Sequence, residues 1–319
     1  METPFFPMGV FGILRAGLKI PSKNGKIFLS VALLLLIQSS IIYLTSDFAI
    51  KPLIMDLAMR SLTLQNIDPQ QPSYAKLIDG IKKDIGILAG EETIILVVSA
   101  IVSLFVAVAT IYTSAMTYHG KDLTCSELFR RIRWTWKRPV ITWLCITLFN
   151  LGFLLLIILL LGFLMLIAKG SIISTCLVIV LALLSLCFYV YFTLLFILGI
   201  VISVIEEGSY GMGALAKAAV LIKGRRWQGC ILYVLFSLLG SAIYLVLNLA
   251  IQDIHLSNMS RLVIGIVLVN VLSLETILIY MVFTVFYFEC KKSHGENVEI
   301  EGESEYSLVP TAFVEDSLP

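Results

Sequence analysis

Charged residues are scarce. Asp, Glu, Lys and Arg make up 14% of the 319 residues, against 59% hydrophobic. A water-soluble domain carries roughly a quarter charged residues, so a mean hydropathy of +0.96 argues against a surface that faces only water. Histidine is rarer still: His119, His255 and His294 lie in separate regions. No HExxH, CxxC pair or GxSxG is present, which removes the zinc-protease, thiol-redox and serine-hydrolase readings. No catalytic residue, cofactor site or metal site is expected, and no basic tract points to nucleic acid. None of the six cysteines falls in a connector expected on the outer side, so no structural disulfide is expected. No secretory signal is expected either, because the first apolar run, 27–50, is longer than a signal core of 7–15 residues and reads as a retained helix.

What is present is long apolar sequence. Six runs reach or exceed the ~18 residues that make a transmembrane helix candidate: 27–50, 93–117, 140–167, 172–204, 229–251 and 262–288. The expected fold is all-α integral membrane, with six transmembrane helices. Residues 1–25 read as a cytoplasmic N-terminal interfacial helix, 26–289 as the six-helix transmembrane domain, and 290–319 as a disordered acidic cytoplasmic tail. Sixteen Lys and Arg fall on one side of this topology and seven on the other. The positive-inside bias then places both termini in the cytoplasm. All four tryptophans fall near the same side, where amphipathic rings are favoured.

Basic amphipathic interfacial helices are expected before spans 1, 3 and 5. The first contains Arg15 and Lys19, four residues apart, and Pro21 ends it. The second is CSELFRRIRWTWKRPVITW, with Arg130, Arg131 and Arg133. The third is ALAKAAVLIKGRRWQGCIL, with Lys217, Lys223, Arg225 and Arg226. These nine bases are the candidate contacts to an anionic cytoplasmic leaflet. Three tandem units, each a short helix followed by a membrane hairpin, would account for the order; so would the general enrichment of cytoplasmic connectors in bases. Between spans 1 and 2, residues 51–92 form the longest connector. Within it KLIDGIKKDIGIL (76–88) has apolar residues at helical spacing, as in a short helix resting on the outer interface or capping the bundle.

The stretch VIEEGSYGMGALAKAAVLIKGRRW (204–227) lacks the glycine, lysine and hydroxyl spacing of a phosphate-binding loop. It reads as a connector: Glu206 and Glu207 end span 4, Gly208 turns, a helix follows, and Gly224 stops it. V-I-E-E-G, then Y-G, then A-L, then L-I-K-G-R, together with ILRAGLKIPSKNGKIF (13–28) and TVFYFECK (284–291), resembles a plant family of six-span membrane proteins. That family is related to the membrane domain of some glycerophosphoryl diester phosphodiesterases. The resemblance spans about residues 10–292 and implies an α-helical membrane domain without a settled activity. The soluble catalytic barrel of those enzymes has no counterpart here, so their activity is not implied.

Glu275 lies near the middle of the last run. A charge at that depth costs roughly 2.5–3.5 kcal/mol on insertion scales. Its neighbours one turn away (Val271, Leu272, Leu278, Ile279) are apolar, so a partner must come from another span; Asn150, Asn248 and Gln38 are the candidates. Cys290, beside two lysines, is either a plain thiol or a candidate for acylation. The sequon at Asn258 sits in a short loop and is expected to stay unmodified, and YSLV (306–309) matches the pattern of an endocytic sorting signal. Two functional classes follow. One is a structural, adaptor or membrane-organising protein of the endomembrane system or plasma membrane, with cytosolic protein partners recruited by the tail. The alternative is a transporter, channel or lipid-translocating protein centred on Glu275.

Overall fold

The computed structural model describes residues 8–22, 24–65, 71–121, 123–168, 172–252 and 257–295. Ten α-helices and no strands occur among them. Six apolar helical segments are long enough to cross a bilayer: Gly25–Leu64, Tyr74–Tyr118, Lys137–Phe163, Cys176–Ile205, Arg226–Gln252 and Asn258–Ser293. The chain is thus an all-α, multi-pass membrane protein.

The helices follow a threefold order. A short helix α1 (Val10–Lys19) precedes α2 (Gly25–Thr45), α3 (Lys51–Gln65) and α4 (Pro72–Tyr118). A second short helix, α5 (Cys125–Thr135), precedes α6 (Lys137–Ala168) and α7 (Ile172–Ile205). A third, α8 (Met212–Leu221), precedes α9 (Arg226–Gln252) and α10 (Asn258–Ser293). The chain divides into two compact units. One holds 1–13, 137–230 and 283–319; the other holds 14–136 and 231–282.

In the second unit, α2 and α3 run antiparallel to α4. The partners Asn24–Thr117, Gln38–Ser99 and Arg60–Asp84 descend along α4 as they ascend along α2 and α3. A π-helical turn, Ser46–Ile50, joins α2 to α3 without a break. The expected 51–92 connector is therefore corrected. Most of it is helix, and 76–88 is the first third of α4 rather than a separate interfacial piece. At 1.5 Å per residue, 47 residues span about 70 Å, against a hydrocarbon core of about 30 Å. Pro72 starts α4, where its missing N–H costs nothing. Leu53, Leu57, Arg60 and Leu64 on α3 are shielded, as are Leu77, Ile81, Asp84, Leu88, Glu91 and Ile95 on α4. Both sets alternate steps of four and three, the spacing of a coiled-coil seam. Arg60 enters this seam to meet Asp84 at 3.1 Å. A β-carbon at Gly80 would fall 2.8 Å from its Nη1, so glycine is what admits the guanidinium.

In the first unit, α6 and α7 form a hairpin with an aromatic ladder. Phe149 meets Phe192 and Phe196 at ring distances of 4.9 and 5.6 Å, and Phe153 meets Phe192 at 6.0 Å. The entry end of each hairpin is closed by a polar pair. These are Asn24–Thr117 at 2.7 Å, Arg138–Glu207 at 3.9 Å and Arg225–Glu289 at 3.6 Å. α1 packs on α10 at Gly17, where a β-carbon would lie 2.6 Å from Val282. α8 packs on α7 at Gly199, where one would lie 2.6 Å from Leu215. α10 extends to Ser293, so the first residues assigned to the tail are helical. The tail motif at 306–309 and the third connector at 169–171 lie outside the described residues.

Candidate functional site

α5 is built to hold one face inward and one outward. Thr124 caps it in an extended conformation. Its N–H donates to Glu127 Oε2 at 3.1 Å, and its hydroxyl accepts from the Glu127 backbone. This reciprocal capping box satisfies two otherwise orphaned donors. The hydrogen bonds from Thr124, with a smaller contribution from Arg130, hold the Glu127 carboxyl below its ordinary pKa. Leu128 and Thr135 are buried. Arg131 turns toward α4 and places its guanidinium 5.9 Å from the centre of the Tyr112 ring. Phe129, 61% exposed, lies tilted to Phe105 with the ring centres 5.8 Å apart. Arg130, Arg133 and Trp134 face outward, Trp134 with 81% of its surface free. Phe129, Arg130, Arg133 and Trp134 line an open cleft of about 620 Å³.

The third basic segment is different. Gly208 and Gly211 adopt φ of +90° and +60°, which only glycine takes without strain. They bring α8 back along α7. Gly211 N–H donates to Thr142 Oγ1 at 2.8 Å. Ala214, Leu215, Ala218, Leu221 and Ile222 are buried. Glu206, 6% exposed, accepts from Tyr287 Oη at 2.6 Å and pairs with Lys217 at 2.6 Å and Lys291 at 3.7 Å. Glu289 is fully buried and pairs with Arg225 at 3.6 Å and Lys292 at 3.6 Å. Arg225 Nη2 also donates to the Met8 carbonyl at 2.7 Å, and Met8 N–H donates to Glu289 Oε2 at 3.4 Å. Buried charge is tolerated only when paired and hydrogen-bonded, and each carboxylate here has two cationic neighbours.

This arrangement sorts the nine candidate lipid contacts. Arg15, Lys19, Arg130, Arg133, Lys223 and Arg226 are exposed; Arg226 also lies 5.9 Å from the Tyr191 ring. Arg131 is partly covered. Lys217 is engaged by Glu206. Arg225, expected at the headgroups, is instead 7% exposed and committed to Glu289 and Met8. Glu289 and Tyr287 carried no expectation from sequence, although TVFYFECK was visible as a motif. Cys290 is completely buried, so the expected alternative of acylation would require opening this end of α10.

Glu275 is 7% exposed. Its carboxylate lies on Gly240 of α9, where a β-carbon would fall 2.9 Å from Oε2. Asn248 donates within its own helix to the Tyr244 carbonyl at 2.9 Å, and Gln38 donates to Ser99 O at 3.5 Å. Asn150 is exposed and belongs to the other unit. The polar tie that sequence reading missed is Asn270. Its side chain accepts from Ser39 Oγ at 2.6 Å and donates to Ser40 Oγ at 3.0 Å, joining α10 to α2. The polar residues were legible, but not the helix faces that bring them together. Among the described residues, no three His, Cys, Asp or Glu gather closely enough to hold a metal ion.

A family model described as a domain of unknown function (DUF8558) matches residues 4–306, and the chain belongs to that family. No curated protein and no solved structure matches it.

Proposed function

We propose that this DUF8558 chain is a membrane-organising protein of the endomembrane system or plasma membrane, with its basic short helices gripping the anionic cytoplasmic leaflet. The observation that carries the reading is the outer face of α5. Two exposed arginines flanked by Phe129 and Trp134 are what an interfacial helix presents to headgroups and the acyl boundary. α1 adds Arg15 and Lys19, and the α8–α9 junction adds Lys223 and Arg226 beside the exposed Trp227. In this reading both termini are cytoplasmic, the tail recruits cytosolic proteins, and no catalytic step is involved.

The test is reconstitution into mixed phosphatidylcholine–phosphatidylserine nanodiscs, with the lipid enriched around the protein read by native mass spectrometry. Each surface base contributes about 1 kcal/mol. Replacing Arg130 and Arg133 with Gln should cost about 2 kcal/mol of serine-lipid preference, or roughly thirty-fold. Unchanged enrichment in the folded variant would remove the basis of the reading.

A second reading rests on Glu275 against Gly240: a proton- or cation-linked transporter. Ion flux in proteoliposomes that Glu275→Gln abolishes would favour it. Equal flux in both proteins would leave Glu275 as a helix-packing residue.

A further inference from the structure

We propose that the cleft on α5 holds a lipid headgroup carrying a phosphomonoester, gripped by Arg130 and Arg133. The inference deepens the leaflet reading and depends on it. Three features of the cleft select the ligand.

The first is charge. Arg130 and Arg133 both line the cleft. Among the described residues no carboxylate pairs with either. The nearest acid in the helix, Glu127, bonds back to Thr124 in the capping box. The cleft thus presents two guanidiniums without an ion pair among the described residues, Arg130 acting on Glu127 only at longer range. A phosphomonoester carries about −1.5 to −2 at pH 7, whereas the diester of an ordinary phospholipid carries a single negative charge. The match in charge is to the monoester.

The second is geometry. Residues three apart on a helix are neighbours, with Cβ atoms about 5–6 Å apart. Two planar guanidinium forks at that spacing can each offer paired N–H groups to phosphate oxygens. The roll of α5 is set by Leu128, Thr135 and the Arg131–Tyr112 contact, so both arginines emerge on the outer face of the helix. Ordering their side chains costs entropy on binding, which the paired N–H contacts must exceed.

The third is the apolar border. Phe129 and the 81%-exposed Trp134 line the cleft beside the arginines. Aromatic residues placed so favour the glycerol and first methylenes of a lipid, not a ligand surrounded by water. A cleft of about 620 Å³ lies within the ~300–1,000 Å³ range of small-molecule sites. The occupant is therefore a lipid, not free phosphate.

The experiment uses the full chain purified in uncharged detergent and titrated with short-chain phosphatidic acid, short-chain phosphatidylserine and inorganic phosphate. Binding is read by calorimetry, with thermal unfolding as the folding control. Phosphatidic acid should bind at least about ten times more tightly than phosphatidylserine, the effect of one further charge-assisted contact. Inorganic phosphate should compete only weakly. Arg130→Lys with Arg133→Lys should retain phosphatidylserine binding and lose most of the discrimination, because an ammonium cannot offer the planar fork. Lys82→Gln, an exposed base on α4 away from the cleft, should change neither affinity. Equal affinity for the two lipids would overturn the headgroup proposal and leave the leaflet reading standing. Binding of neither lipid would overturn both. Inorganic phosphate binding as tightly as phosphatidic acid would overturn the lipid source.

Discussion

α5 and α8 occupy the same place in the chain, each a short helix feeding an odd-numbered span, yet they treat charge in opposite ways. α5 turns Arg130 and Arg133 outward. At α8 and the start of α9, Lys217 and Arg225 turn inward to Glu206 and Glu289. The difference lies in the helix ends they meet. Among the described residues, the end of α4 on which α5 packs, Met116, Thr117 and Tyr118, carries no carboxylate. α7 is followed at once by Glu206, and α10 carries Glu289 in its last turns. A base next to a buried acid is drawn into the protein; a base without one stays at the surface. Basic residues before a span are thus insufficient to identify a lipid contact.

The most severe test of this contrast is Arg225→Met. It removes one of the two cations paired with the fully buried Glu289. Removing one partner of a buried pair costs about 3–5 kcal/mol, and thermal unfolding in detergent should show it. Arg225→Met combined with Glu289→Met should recover much of the loss, because an apolar replacement of both partners is often neutral or better. A single variant as stable as wild type would mean that the junction is not held by this charge pair.

A smaller effect separates the two helices by function. Arg130→Gln should lower the preference for phosphatidylserine by about 1 kcal/mol with unfolding unchanged. Lys217→Gln should do the reverse, lowering stability and leaving lipid preference alone. Equal lipid losses from both would collapse the distinction.

The smallest effect is pH dependence at the α5 cap. The folded Glu127 carboxyl titrates below its ordinary value. Its stabilisation is therefore fully present above about pH 4.3 and disappears as pH falls through the lower folded value. The unfolding midpoint of Glu127→Gln should lie below that of wild type at neutral pH, and the gap should close on acidification. A gap that persists at the lowest pH would assign the effect to something other than the carboxylate charge.

Much of the architecture was open to reading before any coordinate. Apolar runs of sufficient length must be helices in lipid, because backbone groups there have no water to bond. The threefold order of short helix and hairpin was one of two readings of the alternation of basic and apolar sequence. Residues 51–92 misled because Pro69, Pro72 and scattered charges resemble a loop. The seam of Leu53, Leu57 and Leu64 against Leu77, Ile81 and Leu88 appears only when two distant stretches are aligned. Glu275 was conspicuous as an acid in an apolar run. That its carboxylate lies on Gly240, and that Asn270 ties to Ser39 and Ser40, depended on helix rotation.

Sequence alone determined that this chain is helical, carries six apolar segments long enough to cross a membrane and gathers most of its bases before the odd-numbered segments. Those properties follow from composition and local periodicity, which act over a few turns of chain. Only the tertiary structure decided which bases stay at the surface and which pair with acids. The partners of Arg225 and Lys217 lie on other helices, and burial, which sets whether a charge must be paired, is a property of the packed fold.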